Sequence, residues 1–259
     1  MLIFTPLCFH LCWMLTLDLL PMTCSTIQLG MVEESVDDMY DGCSDKMKNI
    51  LDQKFSAELN HVGWTTSNIC ADDKLKERRP EDMALTKDHL QAICMYTDKT
   101  LGYSEINKAI REQKNTYGTS FQFHIFHFFL TTAIQILKRN QNCHATYRRT
   151  PDKYEGQVGQ TIRFGYFASS SINSDLTEFG KETCFKITTC LGANLKHYPK
   201  LGTAESEILI PPYETFIIKE KLLKKEAPAG LTDCERVYVL ENKGYQSNLN
   251  CKLVGMFSG

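Results

Sequence analysis

Three short segments in the C-terminal half of the chain carry polar residues that could act together on a substrate. Arg148 ends a strand-like run, three serines close TIRFGYFASSS, and Glu205 and Glu207 stand where the run EILIPPYETF begins. Because side chains alternate along an extended strand, the two glutamates are predicted to lie on one side. Two carboxylates on one face repel each other unless a bound group or a reaction uses them. Spacing alone also allows an ordinary interpretation: a surface arginine, a serine-rich turn and a solvated acidic strand end.

The elements that must position these residues differ between the two halves of the chain. Apolar residues recur at helical spacing in LTKDHLQAICMYT, in EINKAIREQ and in the segment 121–139, whereas short β-type runs follow Cys143. Helices followed by strands predict an α+β fold rather than alternating β-α units. We therefore predict one domain over residues 35–255, with a helical part at 35–140 packed on a mixed β-sheet core at 141–255. The sequence has neither a G-x-G-x-x-G motif nor a Walker A loop, which argues against Rossmann and P-loop nucleotide sites.

Composition and charge exclude several classes of protein. Hydrophobic residues make up 42% and charged residues 23%, as in ordinary folded proteins, and a net charge of −2 offers no positive excess for nucleic acid. The apolar stretch 121–137 is near the lower length limit for a membrane span and contains two histidines, so it is predicted to be a buried helix. His124 and His127 lie three residues apart, but no third ligand is placed by the sequence. We predict packed histidines and no metal site.

The N-terminus and the cysteines predict a protein that functions outside the cell. Residues 1–25 are mostly apolar and end in small residues, as in a secretory signal peptide; a signal anchor or a buried helix is the alternative, because a basic start is missing. Eight cysteines follow, an even number of the kind found in oxidised secreted domains. The segment after Cys251 lacks the hydrophobic tail of a lipid-anchor signal. We expect a secreted protein with no stable membrane span, and a cell-surface or ER-lumen location is the alternative.

The order of the polar segments resembles a known enzyme family. An arginine, then Ser-x-Ser, then Glu-x-Glu is similar to the arginine-specific mono-ADP-ribosyltransferases of vertebrate cell surfaces, the ecto-ADP-ribosyltransferases, and to their bacterial toxin relatives. Four blocks look like successive blocks of that family in the same order: CHATYRRT, IRFGYFASSS, FGKETCFKITTCLGANLKHY and AESEILIPPYETF. HLQAICMYT and YSEINKAIRE look like its helical half, and GYQSNLNC like its closing segment. The resemblance covers roughly residues 37–251.

The resemblance implies an NAD(P)(+)–protein-arginine ADP-ribosyltransferase with an ADP-ribosyltransferase-like fold. Such an enzyme breaks the bond between nicotinamide and ribose in NAD or NADP and joins the ADP-ribose to an arginine of a target protein. Glu207 is expected to stabilise the oxocarbenium-like transition state. Glu205 is expected to bind or deprotonate the incoming guanidinium. Arg148 is expected to hold phosphate oxygens, and Ser169 to position Glu207 and the ribose through hydrogen bonds.

The same resemblance extends to aromatic residues and to cysteines. Phe179 is the candidate for stacking on the nicotinamide. Tyr96 matches a tyrosine that borders the NAD cleft, although packing in the core explains its position equally well. Two disulfides are implied, Cys43–Cys251 and Cys143–Cys190. The pairing of the other four cysteines stays open: Cys70, Cys94, Cys184 and Cys234.

The sequence departs from the family pattern at two places. The family usually has glycine after the motif arginine, where this chain has Arg149. If the position needs a positive φ or a close backbone approach, Arg149 hinders the site; otherwise a second guanidinium could add to phosphate binding. The family often has an acidic run before the last glutamate, which Ala204 and Ser206 interrupt here. The alternatives are therefore a secreted NAD glycohydrolase, with water as the acceptor, and an impaired member that binds NAD or a partner.

Overall fold

The helices come first along the chain and the long strands second. The computed structural model describes residues 26–100 and 103–257; the predicted signal peptide, residues 1–25, lies outside this part. The described helices are α1 (Ser44–Lys54), α2 (Val62–Thr66), α3 (Asn68–Lys76), α4 (Lys87–Tyr96), α5 (Tyr103–Glu112), α6 (His124–Lys138) and α7 (Lys252–Phe257). The described strands are β1 (Ile27–Gln28), β2 (His144–Thr150), β3 (Tyr154–Glu155), β4 (Thr161–Ile162), β5 (Ala168–Ser171), β6 (Thr183–Thr189), β7 (Ala193–Asn194), β8 (Glu207–Ile210), β9 (Glu214–Leu223) and β10 (Arg236–Tyr245).

Helix α6 forms the centre of the helical part. Its residues 124–134 are all buried, because α4 packs on one side of it and β7 of the sheet on another. The stretch that sequence assigns to a buried helix is therefore such a helix, 15 residues long. His124 and His127 have different partners: His124 Nδ1 lies 2.7 Å from Glu58 Oε1, and His127 Nδ1 lies 2.6 Å from the Tyr40 hydroxyl. No helix in residues 26–100 or 103–257 has the length and apolar character needed to cross a bilayer.

The β-rich part is one mixed sheet of eight strands in the described part of the chain, with the order β4-β9-β10-β6-β2-β5-β8-β7. Only the pair β10–β6 is parallel; the other neighbours are antiparallel. The short strand β1 pairs with β3 outside this sheet. Ordered structure thus begins before residue 35, at a two-residue strand that is too short to be recognised from sequence alternation.

The sheet is nearly split between β2 and β5. Whereas β2 pairs with β6 at seven positions, it pairs with β5 only through Tyr147 and Ser171. Side chains of β2 bond to β5 instead: Thr146 Oγ1 donates to the carbonyl of Ser171 at 2.7 Å, and Arg148 Nη1 donates to the carbonyl of Ser169 at 2.7 Å. Because these donors replace the missing backbone bonds, the two strands diverge without leaving the carbonyls unpaired.

Four disulfides brace the fold. The structure pairs the two sets of cysteines that the resemblance implies, Cys43–Cys251 and Cys143–Cys190. The other four cysteines, whose pairing the sequence leaves open, form Cys70–Cys94 and Cys184–Cys234. Cys43–Cys251 joins the start of α1 to the residue before α7, across 208 residues of sequence. Long loops of this kind restrict the unfolded chain most.

A buried ion pair joins the two ends of the domain to the sheet. Arg163, next to β4, is 1% exposed, and its Nη1 lies 2.6 Å from Asp37 Oδ2. The same carboxylate accepts hydrogen bonds from the backbone N–H groups of Asn248 and Leu249. Arg163 Nη2 also donates to the carbonyl of Val32. One carboxylate and one guanidinium thus satisfy backbone groups from the N-terminal segment and the C-terminal segment together.

The Arg163 pair predicts a large stability loss on truncation. Arg163→Met removes the partner of a fully buried carboxylate, so we expect the free energy of unfolding to fall by about 3–5 kcal/mol. Lys48→Met, which breaks the exposed pair Lys48–Asp52, is expected to cost less than about 1 kcal/mol. Urea unfolding of the oxidised protein measures both, and equal losses would contradict the role assigned to the buried pair.

Candidate active site

A cleft of about 490 Å³ opens where β2 and β5 diverge. Its volume falls in the range of ligand-binding pockets. The cleft brings together every residue that the resemblance assigns to catalysis or NAD binding, although they lie far apart in the sequence: Tyr96, Arg148, Ser169, Phe179, Glu205 and Glu207. Strands β2, β5 and β8 carry three of them, and the end of α4 and two turns carry the others.

Glu207 is the buried acid of the cleft. It is the first residue of β8, and its backbone pairs with Ser171 of β5. Its side chain is 8% exposed, and the Ser169 hydroxyl donates to Glu207 Oε1 at 2.6 Å. Since Ser169 and Ser171 lie two residues apart on one strand, their side chains share a face, and the β5–β8 register sets Ser169 against the Glu207 carboxylate.

The surroundings of Glu207 bring the pKa of its carboxyl close to neutral pH. Burial raises the pKa of its carboxyl from 4.5 to about 7, because the ionised form loses hydration. The hydrogen bond from Ser169 opposes this effect and lowers the pKa, whereas the neighbouring charge of Glu205 raises it. The positive charges of Arg148 and Lys99 lower the pKa. A hydroxyl and two cations thus favour the ionised carboxylate, against burial and the charge of Glu205.

Glu205 reaches the cleft by a different backbone from the one that alternation predicts. Residues 201–205 form turns, and strand β8 begins only at Glu207. Between them Ser206 has φ 45°, in the left-handed region that non-glycine residues rarely adopt. The expected extended Glu-x-Glu segment is therefore wrong as a backbone conformation. Both side chains line the cleft nevertheless, and the Ser171 hydroxyl fixes the turn by donating to the carbonyl of Glu205 at 2.6 Å.

Arg148 is held in the gap between β2 and β5. Besides its bond to the carbonyl of Ser169, its Nη2 lies 3.4 Å from the Tyr166 hydroxyl, and its guanidinium carbon lies 5.8 Å from the Tyr166 ring centroid. A second cation, Arg111, lies 4.2 Å from the centroid of the same ring. These contacts fix the plane of the Arg148 guanidinium at the edge of the cleft, where it can meet an anionic group. Arg148 donates to a carbonyl and a hydroxyl, and no carboxylate in the described part of the chain forms an ion pair with it.

Tyr96 links the helical part to the Ser169 hydroxyl. It is 5% exposed, its hydroxyl donates to the carbonyl of Phe167 at 2.6 Å, and its oxygen lies 3.1 Å from Ser169 Oγ. Asn107 Nδ2 donates to the same carbonyl at 3.2 Å. Phe167 packs against the His127 ring of α6. Tyr96 thus belongs both to the core and to the cleft, so the two interpretations of its position are compatible.

Phe179 and Lys99 stand at the rim. Phe179 ends a short 3-10 turn before β6 and exposes 36% of its surface. The Lys99 ammonium lies 5.5 Å from the centroid of this ring and 2.8 Å from Glu205 Oε1. Lys99 follows α4, so the rim joins residues from the helical part to the turn that carries Glu205.

Arg149 lines the cleft, but its guanidinium is bonded to protein groups. Its guanidinium donates to the carbonyls of Ser174 and Gly230 at 2.8 Å each and to both carboxylate oxygens of Asp233. Its backbone is in β2 and pairs with Cys184, so the position does not require the positive φ of a glycine. Arg149 therefore does not hinder the site through a required positive φ, and its guanidinium is paired with Asp233 in this structure. It joins the turn after β5 to the loop before β10.

The described cleft has the groups that NAD requires. Arg148 can hold phosphate oxygens, and the hydroxyl and carboxylate of Ser169 and Glu207 can bond to a ribose. In addition, Asn107 Oδ1 is buried beside the cleft with no hydrogen-bond partner in the described part of the chain, so a ligand donor would satisfy it. Within residues 26–100 and 103–257, no group of three or more His, Cys, Asp and Glu is arranged to hold a metal ion.

Comparison with known proteins gives the family of this chain. The family model described as ART: NAD:arginine ADP-ribosyltransferase matches residues 29–230, most of the chain.

The chain belongs to the NAD:arginine ADP-ribosyltransferase family.

Relatives of this family member align over most of their own length. The mouse GPI-linked NAD(P)(+)--arginine ADP-ribosyltransferase 1 is 32% identical in an alignment 250 positions long that covers 87% of this chain and 73% of the relative. The mouse ecto-ADP-ribosyltransferase 4 is 32% identical in an alignment 246 positions long that covers 88% of this chain and 77% of the relative.

A solved structure confirms the α+β class that the sequence predicts for this family member. The crystal structure of a mutant of the eukaryotic mono-ADP-ribosyltransferase ART2.2 in complex with NADH superposes with a TM-score of 0.72. It shares 28% sequence identity, and the match covers 87% of this chain and 98% of that one.

Sequence reasoning misses three residues of the cleft, Lys99, Asn107 and Ser171, and also Tyr166, which contacts Arg148. Ser171 carried a signal, since it is two residues from Ser169 in a run of three serines and alternation places both hydroxyls on one face. The other three carried none, because their role depends on contacts with residues that are distant in the sequence.

Two variants test the structural role of Arg149. Arg149→Met leaves the carbonyls of Ser174 and Gly230 without donors, so we expect a loss of about 2–4 kcal/mol in the free energy of unfolding. Lys181→Met is the matched control, because Lys181 also pairs with Asp233 but is more than half exposed, and it is expected to cost less than about 1 kcal/mol. Urea unfolding measures the stability of each variant, and calorimetry measures its affinity for NAD. A stable Arg149→Met protein that has lost its affinity for NAD would show that the side chain serves the ligand instead.

Proposed function

We propose that this protein transfers ADP-ribose from NAD to arginine side chains of target proteins and releases nicotinamide. Membership of the family supports the reaction class. The observation that carries the proposal for this chain is the hydrogen bond between Ser169 and the buried Glu207, in a cleft that also holds Arg148 and a second carboxylate, Glu205. The phosphates of NAD are negatively charged and a guanidinium is positively charged. The cleft offers Arg148 to the first and Glu205 to the second.

Glu207 is assigned to stabilise the transition state. When the bond between nicotinamide and ribose breaks, positive charge develops on the ribose. A carboxylate in a buried cleft interacts with that charge more strongly than one in water, and it needs no rearrangement at the moment of reaction. The hydrogen bond from Ser169 holds the carboxylate in one orientation. Ser169 is therefore a positioning residue as well as a candidate for contact with the ribose.

Arg148 is assigned to the phosphates. Its planar guanidinium is fixed by the carbonyl of Ser169 and the hydroxyl of Tyr166, and it offers further donors at the cleft edge. The same positive charge lowers the pKa of Glu207. Arg148 thus has two effects: it binds an anionic group, and it keeps the catalytic carboxylate ionised.

Glu205 is assigned to the acceptor. It is less buried than Glu207 and lies at the rim, from which a protein side chain can enter. A carboxylate there can bind a guanidinium and take up the proton that it loses when its nitrogen bonds to the ribose. NAD hydrolysis, with water as the acceptor, is the second candidate function, because Glu205 is already occupied by the Lys99 ammonium.

The location follows from the relatives and the disulfides. The relatives include ecto-enzymes and GPI-linked enzymes, and four disulfides persist best in an oxidising compartment. Both observations support a position outside the cell or at its surface. Within that range we propose secretion after removal of residues 1–25.

The two glutamates are expected to separate cleavage from transfer. Glu207→Gln should lower nicotinamide release by at least about 100-fold, because the group opposite the developing charge becomes neutral. Glu205→Gln should abolish labelling of agmatine by labelled NAD while NAD hydrolysis continues. Chromatography of nicotinamide, ADP-ribose and agmatine products measures both reactions. If Glu205→Gln lost both reactions equally, the acceptor role would be wrong; if wild type made only free ADP-ribose, the protein would be a glycohydrolase.

The raised pKa of Glu207 predicts an acid limit on activity. The carboxyl must be ionised, so kcat/KM for NAD should fall about tenfold per pH unit below about 7. Ser169→Ala removes a hydrogen bond that favours the ionised form, so the midpoint should move to higher pH. Ser170→Ala is the control, because Ser170 Oγ bonds to the carbonyl of Ile208 instead of a carboxylate. A rate that is flat through pH 7, or an equal midpoint in Ser169→Ala and wild type, would contradict this assignment.

A further inference from the structure

Glu205 and Phe179 together form a cation site at the rim of the cleft, and a residue of this chain fills it. The Lys99 ammonium lies 2.8 Å from Glu205 Oε1 and 5.5 Å from the centroid of the Phe179 ring. A carboxylate and an aromatic face are the two surfaces that a guanidinium binds best, the first with two parallel hydrogen bonds and the second by stacking. An ammonium makes a single point contact with each.

We propose that Lys99 is a tethered competitor that occupies the acceptor subsite and that an incoming arginine must displace. The inference rests on the proposed transfer to arginine and adds a determinant of acceptor affinity and specificity. Lys99 is held near Glu205 by the chain, so a free ammonium competes poorly with it. A guanidinium displaces it because it binds the carboxylate through two donors. Lys99 thus favours arginine over lysine as the acceptor.

The accessibility of the pair allows such an exchange. The Lys99 side chain is 58% exposed and that of Glu205 is 30% exposed, so separating them does not bury an unpaired charge. A pair of this kind contributes little to stability, and its loss changes affinity by a small factor. Lys99 lies three residues beyond the last residue of α4, so the ammonium can leave the rim while Tyr96 and Ser169 keep their contacts.

Steady-state kinetics with NAD and agmatine test the proposal. Lys99→Met should lower KM for agmatine by about two- to fivefold and leave kcat and KM for NAD unchanged. Lys99→Arg should raise it above the wild-type value, because the introduced guanidinium binds Glu205 more tightly. The comparison is made at about pH 8.5, where Glu207 stays ionised when a nearby positive charge is removed. The control is Lys87→Met, at the opposite end of α4 and paired with Asp72, which should match wild type.

The outcomes separate this proposal from the function on which it rests. An agmatine KM that is unchanged or raised in Lys99→Met, in a protein that still transfers ADP-ribose, overturns the competitor role alone. NAD cleavage without agmatine product in both wild type and Lys99→Met also overturns it. Wild-type protein that neither cleaves NAD nor modifies agmatine overturns the proposed function itself. Transfer that appears only in Lys99→Met supports both.

Discussion

The active site depends on the near-split of the sheet between β2 and β5. Where two strands separate, their backbone groups must find other partners, and here side chains of β2 supply them. Arg148 donates to the carbonyl of Ser169, so the residue that closes the split also presents its guanidinium at the cleft. On the other side of β5, the regular ladder with β8 brings Ser169 to Glu207. Divergence from β2 on one edge of β5 thus opens the cleft, and pairing with β8 on the other edge places Ser169 and Glu207 in it.

The second constraint is electrostatic. A carboxylate that is to act on a developing positive charge works best away from water, but burial disfavours its ionised form. In this chain burial and the charge of Glu205 raise the pKa of Glu207, while Ser169, Arg148 and Lys99 lower it, and the result lies near 7. Two of the groups proposed to bind NAD, Ser169 and Arg148, therefore also favour the ionised form of the acid. The remainder of the fold serves rigidity: Arg163 with Asp37, Arg149 with Asp233 and four disulfides fix the segments around the cleft.

Sequence reasoning reached the fold class and the set of candidate residues, but not their arrangement. Helical periodicity locates α4 and α6 to within a few residues, because these helices are long enough to show a pattern. The resemblance gives Arg148, Ser169 and Glu207, which the structure brings into one cleft. Local patterns could not give the left-handed φ of Ser206, since that conformation follows from the turn against Ser171. Nor could they show that Arg149 bonds to Asp233, 84 residues away.

A crystal structure of the Glu207→Gln variant with NAD would test the central claim most directly, because the substitution keeps the shape of the site while slowing cleavage. NAD should lie in the cleft between β2 and β5, with a phosphate within ion-pair distance of Arg148 and the nicotinamide-side ribose beside Ser169 and residue 207. Asn107 Oδ1 should then accept a hydrogen bond from the ligand. NAD bound elsewhere, or its phosphates held on the Arg149 side of β2 with no contact to Arg148, would contradict the roles assigned to Arg148, Ser169 and Glu207.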